Sequence, residues 1–142
     1  MKTVRQILKT KPFPIWSVSA ETKTFAAIQL LAEKGIGALL VMTDDQLVGI
    51  FSERDYARKV ALKGKSSLDT PVRDVMTTDV LVISPEDSNE YCMALMTDKR
   101  VRHLPVIENS KVIGIISIGD LVKDIISEQE FTIRQLESYI HG

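Results

Sequence analysis

The sequence repeats itself, and this duplication constrains the fold more than any other feature. At an offset of 65 positions, residues 19–57 align with residues 84–122 without a gap, and ten of the 39 pairs are identical. Most other pairs in the apolar stretches exchange one apolar residue for another. Such a repeat predicts one supersecondary unit built twice. Because a unit of about 60 residues buries little surface alone, we expect the two copies to pack against each other.

Both copies have the same predicted order of elements, β-α-β-β-α, so the fold class is predicted to be α/β. Gly35 is a plausible helix end in the first copy, and Ser84-Pro85-Glu86-Asp87 is typical of a helix entry in the second. Apolar runs separated by polar turns predict two strands after each helix. The predicted elements are opening turns led by Thr3 and by Thr70-Pro71, extended runs at 15–18 and 80–83, strands at 38–42, 47–51, 104–107 and 112–116, and core-facing helix residues Phe25, Ile28, Leu31, Ala32, Tyr91, Leu95 and Met96.

The repeat boundaries divide the chain into a first repeat at 1–65, a second repeat at 66–127 and a C-terminal helical tail at 128–142. Apolar residues and one glutamine recur at spacings of four and three along the last helix, which is the pattern of a coiled-coil seam. They are Val122, Ile126, Gln129, Ile133, Leu136 and Ile140. This stripe either folds back on the chain's own core or pairs with another chain.

A serine and an aspartate stand three positions apart at the end of the last strand of each copy, in the stretches GIFSERD (49–55) and GIISIGD (114–120). A serine N-cap followed by an acidic residue three positions later approximates a capping box, which is a purely structural role. A carboxylate at a helix start can also accept two hydrogen bonds from a cis-diol, beside free backbone N–H groups. Taken singly, each pair favours the structural role.

Basic residues follow only the first of these motifs closely. Arg54 and Arg58 are four positions apart, so a helix would place both on one face near its positive end, where arginine suits phosphate. A solvated charged face is the alternative. Because the second copy has Gly119 and Lys123 at these positions, we predict that the Asp55 site binds phosphorylated ligands more tightly.

The tandem arrangement, with Leu104-Pro105-Val106 on one strand and the two G-I-x-S-x-x-D stretches closing the next, resembles the cystathionine-β-synthase (CBS) domain family. The first copy has Leu39-Leu40-Val41 in place of the proline-containing strand. The resemblance covers residues 3–126 and implies a Bateman module, in which two repeats pack about a pseudo-twofold axis and leave two clefts between them. It also implies a regulatory protein consisting of the two repeats, often paired into disk-like homodimers, so we expect a homodimer here.

What the resemblance implies about ligands is an adenine nucleotide in the clefts. AMP or NAD is favoured, ATP is a further candidate, and S-adenosylmethionine fits less well because its sulfonium gains nothing from the arginines. The implied nucleotide-binding residues are the aspartates for ribose hydroxyls, the serines near ribose and phosphate, the arginines for phosphate, and positions that offer backbone groups: Ile50, Ser52, Arg54, Asp55, Arg58, Thr78, Val80, Arg102, Ile115, Ser117 and Asp120. Binding is expected to reorient the repeats and to signal to a downstream protein whose identity the sequence does not give.

The remaining composition excludes several other classes of function. The net charge of −1 and the lack of an aromatic and basic pattern argue against nucleic acid, and no stretch reaches membrane-spanning length. The single Cys92 excludes an intrachain disulfide, and the sequence shows no metal-ligand cluster. We expect a cytoplasmic protein that is not an enzyme and needs no metal. A dimerisation scaffold with empty clefts is the main alternative, and a nucleotide-processing enzyme is a weaker one.

Overall fold

The structure is a computed structural model that describes residues 2–11 and 15–141. The chain divides into two compact units. Unit 1 combines residues 2–11 with residues 82–141, and unit 2 comprises residues 15–81. Each unit therefore contains the central elements of one sequence copy and the opening segment of the other. Residues 2–11, which open the first copy, lie in unit 1, and the segment that opens the second copy at Thr70-Pro71 lies in unit 2. The predicted boundaries at 65 and 127 describe the sequence repeat, whereas the compact units group the residues differently, as given above.

Unit 2 contains a three-stranded sheet and its helices. Its elements are β1 (Ser17–Ser19), α2 (Thr24–Lys34), β2 (Ala38–Thr43), β3 (Gln46–Ser52), the short helix α3 (Glu53–Asp55), a π-helix (Tyr56–Ala61) and a 3₁₀ helix (Val72–Asp74). The strand order is β1-β2-β3, with β1 parallel and β3 antiparallel to β2. Its core includes Phe51 and Leu31, with Val72 and Val75 contributed by the later segment.

Unit 1 contains a two-stranded sheet and three helices. Its elements are α1 (Val4–Lys9), α4 (Asn89–Lys99), β4 (His103–Glu108), β5 (Lys111–Ser117) and α5 (Ile118–His141). The strands β4 and β5 are antiparallel. Among the described residues of unit 1, a single parallel bridge between Ile83 and Val106 stands where unit 2 has β1.

The hairpins β2–β3 and β4–β5 have matching turns. The polar residues of these turns are the local signal that predicted the two strands after the helix of each copy. The central residues Asp44 and Asp45 in unit 2, and Asn109 and Ser110 in unit 1, all have positive φ. Two-residue turns with this geometry match the right-handed twist of the strands that they join. Each hairpin also has a register shift at the same place, after Val41 and after Val106.

The opening segments are fixed in the two units by equivalent hydrogen bonds. In unit 1, the backbone N–H of Val4 donates to Asp87 O at 2.8 Å; in unit 2, that of Val72 donates to Thr22 O at 2.7 Å. The neighbouring arginines form equivalent ion pairs, Arg5 with Glu86 and Arg73 with Glu21. The identical glutamates of the repeat thus hold the segment that arrives from the other copy.

Several local predictions were wrong. Phe25 and Tyr91 are exposed, because the faces buried by α2 and α4 are those of Ala27 and Leu31 and of Cys92 and Met96. Ser84–Asp87 forms a turn closed by Asp87, and the N-cap of α4 is Ser88. Pro71, not Thr70, is the N-cap residue of the 3₁₀ helix, and residues 80–82 form no strand.

The α/β fold class is confirmed, as are the four main strands, the end of α2 at Gly35 with φ of 63° and the capping box that begins α1 at Thr3. The predicted helical tail is part of α5 through His141, and Gly142 lies outside the described residues.

Candidate functional site

The first serine–aspartate pair forms a capping box at the start of α3. The backbone N–H of Asp55 donates to Ser52 Oγ at 3.1 Å, and that of Ser52 donates to Asp55 Oδ2 at 3.0 Å. The Ser52 hydroxyl also lies 3.1 Å from Oδ2. The structural role that the spacing predicted is therefore present.

The second oxygen of Asp55 has a different set of partners. Lys59 Nζ lies 3.0 Å from Oδ1, and Thr77 Oγ1 donates to Oδ1 at 3.3 Å. The same ammonium donates to Val75 O at 3.1 Å. Because the Asp55 side chain is only 10% exposed, these donors compensate much of the loss of hydration. Both carboxylate oxygens are thus engaged.

The strand β3 and the segment after the 3₁₀ helix position this site. Ile50 and Thr77 exchange two backbone hydrogen bonds, Ile50 N to Thr77 O at 3.0 Å and Thr77 N to Ile50 O at 2.8 Å. The bridge sets the Thr77 hydroxyl against Asp55. After Asp55 the helix widens into the π-helix, a rare form that recurs at functional sites, and the predicted phosphate ligands Arg54 and Arg58 are exposed on either side of this junction.

The second pair repeats the cap but not its surroundings. Ser117 N donates to Asp120 Oδ2 at 2.8 Å, and Asp120 N donates to Ser117 Oγ at 3.2 Å. Lys11 Nζ, from the segment after α1, donates to the same Oδ2 at 2.8 Å and to Ile115 O at 2.7 Å. All hydrogen bonds that Asp120 accepts within residues 2–11 and 15–141 go to Oδ2. The Asp120 side chain is 15% exposed.

These contacts change the titration of two side chains in unit 1. Burial alone would raise the pKa of Asp120, but the hydrogen bonds from Lys11 and Ser117 outweigh it and hold the pKa below its usual range. Burial lowers the pKa of His103, and Lys11 and Arg102 lower it further against the opposing effect of Asp120. Lys11, Arg102 and Asp120 therefore all act electrostatically on His103, at the entry to β4.

The structure brings together most of the predicted site residues within each unit. Ile50, Ser52 and Asp55 adjoin one another in unit 2, and Ile115, Ser117 and Asp120 do so in unit 1. Arg102 is exposed at the entry to β4, and its carbonyl accepts from Ile118 N at 2.9 Å. Thr78 is exposed and Val80 half-buried.

Three residues that contact the carboxylates were not predicted as ligand residues: Lys59, Thr77 and Lys11. Lys59 had a signal, because it stands four positions after Asp55 on a predicted helix. Thr77 is the neighbour of the predicted Thr78. Lys11 had no local signal, since it is 109 positions from Asp120.

Other chemistry-bearing groups do not form a site. Cys92 is a buried thiol, and burial raises its pKa to about 11, so it is protonated at neutral pH. Across residues 2–11 and 15–141, no group of three His, Cys, Asp or Glu side chains is placed to hold a metal ion. Among those residues, no helix has the length and apolar character needed to span a membrane.

A family model described as the CBS domain matches the chain twice, at residues 4–62 and 72–127. The chain belongs to the CBS domain family. Proteins of the CBS domain family are in general regulatory ligand-binding modules rather than catalysts.

Individual CBS-domain proteins are similar over most of the chain. The mitochondrial CBS domain-containing protein CBSX3 of Arabidopsis thaliana is 35% identical over 150 residues, covering 99% of this chain and 72% of the relative. The structure of a CBS-domain protein from Burkholderia ambifaria is 53% identical with a TM-score of 0.87, covering 90% of this chain and 96% of that one. A hexameric CBS-CP12 protein from bloom-forming cyanobacteria is 27% identical with a TM-score of 0.76, covering 85% and 66% of the two chains. CBS-domain proteins of this fold thus include oligomers.

Proposed function

We propose that this CBS-domain protein is a non-catalytic sensor that binds an adenine nucleotide, AMP or NAD, through Asp55 and Asp120. In each unit the carboxylate would accept hydrogen bonds from the ribose hydroxyls, with the adjoining serine close to the ribose. The family membership supports a regulatory ligand-binding role, and the contacts of the two carboxylates support the choice of ligand.

The observation that carries the proposal is the presence of an ammonium group at both carboxylates. A capping box needs only a serine and an aspartate. Here Lys59 lies 3.0 Å from Asp55 and Lys11 lies 2.8 Å from Asp120, yet the two lysines come from unrelated positions of the repeat. The aligned counterpart of Lys59 is Asp124, and residues 77–83 of the second copy contain no lysine. Both sites therefore combine a hydroxyl, a carboxylate and an ammonium group, although the lysine comes from a different part of the repeat in each. This recurrence favours one kind of ligand for both sites, with hydroxyl and phosphate groups.

The availability of the carboxylate oxygens differs between the sites. A carboxylate oxygen accepts two hydrogen bonds readily. At Asp120, Oδ1 can accept from a ribose hydroxyl while Oδ2 keeps Lys11 and Ser117. At Asp55, a ribose would have to replace Thr77 or Lys59 on Oδ1. A displaced ammonium could then turn to a phosphate, with Arg54 and Arg58 as the further cations that we predict there.

Calorimetric titration with AMP, ATP, NAD and S-adenosylmethionine tests the proposal. The variants are Asp55→Asn and Asp120→Asn, which keep the size of the side chain, with Asp98→Asn at the exposed end of α4 as the matched control. We expect AMP or NAD to bind saturably and at least one site variant to weaken binding about tenfold or more, as for the loss of a charge-assisted hydrogen bond. The control should bind like the wild type.

No binding heat with any of the four ligands would reject the sensor function and leave the serine–aspartate pairs as helix caps in a scaffold. The capping geometry of both pairs is the specific observation behind that second candidate. Turnover of ATP or NAD during overnight incubation would reject the non-catalytic role. A change in repeat orientation stays a prediction, which small-angle X-ray scattering with and without AMP would test.

A further inference from the structure

The C-terminal half of α5 has an apolar face that is exposed in the part of the chain that the structure describes. The beginning of the helix is fixed in unit 1, where Leu121 and Asp124 are buried and Asn89 Nδ2 donates to Leu121 O at 3.0 Å and to Asp124 Oδ2 at 2.7 Å. From Ile126 to His141 every residue is exposed. The helix thus continues for about 24 Å beyond its anchored turns, at 1.5 Å per residue.

An isolated helical stretch of this length is marginal in water, and this one has unfavourable composition. Most of the stability of a helix in a protein comes from packing of its apolar face, and β-branched residues such as Ile133, Ile140 and Thr132 lower the helix propensity of this stretch further. A partner that covers the face would supply the missing stabilisation.

The exposed face has heptad geometry. Ile126, Ile133 and Ile140 occupy one core position (a), while Val122, Gln129 and Leu136 occupy the other (d). We name these six residues the α5 seam. Isoleucine at every a position, with Leu136 among the d residues, is close to the pattern that favours two parallel strands, and Gln129 is the one polar residue of the seam.

We propose that the α5 seam pairs with the α5 seam of a second copy of this chain, as a parallel two-stranded coiled coil. In this arrangement Gln129 faces Gln129 of the other copy, so the two amides can hydrogen-bond to each other. In an antiparallel pair each Gln129 would face Ile133, and an amide buried without a partner is costly.

The flanking residues also favour the parallel arrangement. In a parallel pair the positions beside the seam bring Ile125 towards Glu130 and Thr132 towards Glu137, so like charges do not meet. An antiparallel pair would bring Glu130 against Glu130. Its compensating Lys123–Glu137 pairs would be solvent-exposed, and such pairs contribute little.

The decisive comparison uses two apolar residues of equal exposure on opposite faces of α5. Ile133 is 54% exposed within the seam, and Phe131 is 57% exposed on the far side of the helix. Sedimentation velocity over a range of concentrations measures the dimer Kd of the wild type, of Ile133→Glu and of Phe131→Glu. We expect Ile133→Glu to raise Kd by about 100-fold or more, because two carboxylates would enter the seam, and Phe131→Glu to change it less than about threefold.

A wild type that is monomeric at 100 µM, on the order of a weak interface's Kd, would overturn the proposal. So would an Ile133→Glu protein that stays dimeric, or a Phe131→Glu protein that dissociates equally. Orientation is measured by Leu136→Cys oxidation: a disulfide-linked dimer supports the parallel pair, and its absence rejects it. The wild type is the control, because its Cys92 is buried with a raised thiol pKa. These readouts do not depend on nucleotide binding.

Discussion

The two serine–aspartate sites share their acceptors and differ in their donors. In unit 2 the backbone N–H of Thr77 donates to Ile50 O and its hydroxyl donates to Asp55. In unit 1 the single ammonium of Lys11 donates to both equivalent acceptors, Ile115 O and Asp120. The duplication has therefore preserved the cap and the carbonyl beside it, while the groups that satisfy them have diverged.

This difference makes the two halves chemically unequal despite their matching folds. The cation at Asp55 comes from the helix that the aspartate itself begins, and the cation at Asp120 comes from the distant opening segment. The cation of the Asp120 site thus depends on the docking of residues 2–11, whereas the cation of the Asp55 site depends on the local winding of its helix. The first property to test is consequently which unit each opening segment belongs to.

The largest expected effect comes from truncating a buried apolar side chain in each opening segment, which leaves a cavity in the core. Ile7 and Val75 are equivalent buried residues of the two segments. We expect Ile7→Ala to destabilise unit 1 by about 2–4 kcal/mol and Val75→Ala to destabilise unit 2 by about 2 kcal/mol. Hydrogen exchange measured by mass spectrometry should show faster exchange in residues 82–127 for Ile7→Ala and in residues 15–81 for Val75→Ala.

The opposite assignment would contradict the unit membership, because the sequence repeat boundaries place Ile7 with residues 15–65. Fluorescence of Trp16, the only tryptophan, offers a second probe that lies in unit 2. Its unfolding transition should shift more for Val75→Ala than for Ile7→Ala.

An intermediate effect is expected at the equivalent glycines of β3 and β5. A Cβ at Gly49 would lie 2.9 Å from Thr77 O and 2.7 Å from Met76 Sδ, whereas the atoms nearest to a Cβ at Gly114 belong to the Leu8 side chain, with Cδ2 at 2.6 Å. A leucine side chain can move but a paired backbone carbonyl cannot do so cheaply. Gly49→Ala should therefore cost about 1–3 kcal/mol and Gly114→Ala clearly less, as measured by urea denaturation. Equal costs would show that the two segments pack with equal rigidity.

The smallest expected effect is a pH dependence that belongs to the Asp120 site. Because the pKa of Asp120 is lowered in the folded chain, its contribution to stability is present above the ordinary value of 3.8 and is lost as the pH falls through the folded value. Lys11→Met should reduce stability at pH 7 by about 1 kcal/mol. It should also make the stability fall less below pH 4, because without Lys11 the pKa of Asp120 is lowered less in the folded chain.

Urea unfolding midpoints between about pH 2.5 and pH 7 would measure this change. Lys9→Met removes the same charge from an exposed position two residues away and should keep the wild-type profile. If both variants have the wild-type profile, the ion pair between Lys11 and Asp120 has no measurable effect on folding.

Much of the fold followed from the repeat because its signals are local. The strands, their turns and the caps at Ser52 and Ser117 depend on residues close together in the chain, so the spacing predicted them correctly. Phe25 and Tyr91 are predicted core residues that prove exposed, because the apolar residues of α2 and α4 are spread around each helix and do not define one buried face. The smaller Ala27 and Cys92 occupy the buried faces instead.

The exchange of opening segments could not be predicted from one sequence. Val4-Arg5 and Val72-Arg73 have the same residues in the same order, and both Glu21 and Glu86 are available to pair with either arginine. The local sequence pattern therefore fits either opening segment in either unit equally well. The contact between Lys11 and Asp120 was missed for the same reason, since it exists only once the membership is known.

The placement of α1 also determines an order of events during synthesis on the ribosome. Val4 and Ile7 are made before the strand and helices that bury them, which follow more than 80 residues later. Residues 15–81 can close into their own core in the meantime, because all their partners have already been made. The nascent chain must therefore keep an apolar helix unburied across the synthesis of an entire inserted unit, which makes α1 the segment most exposed to chaperones and to misassembly.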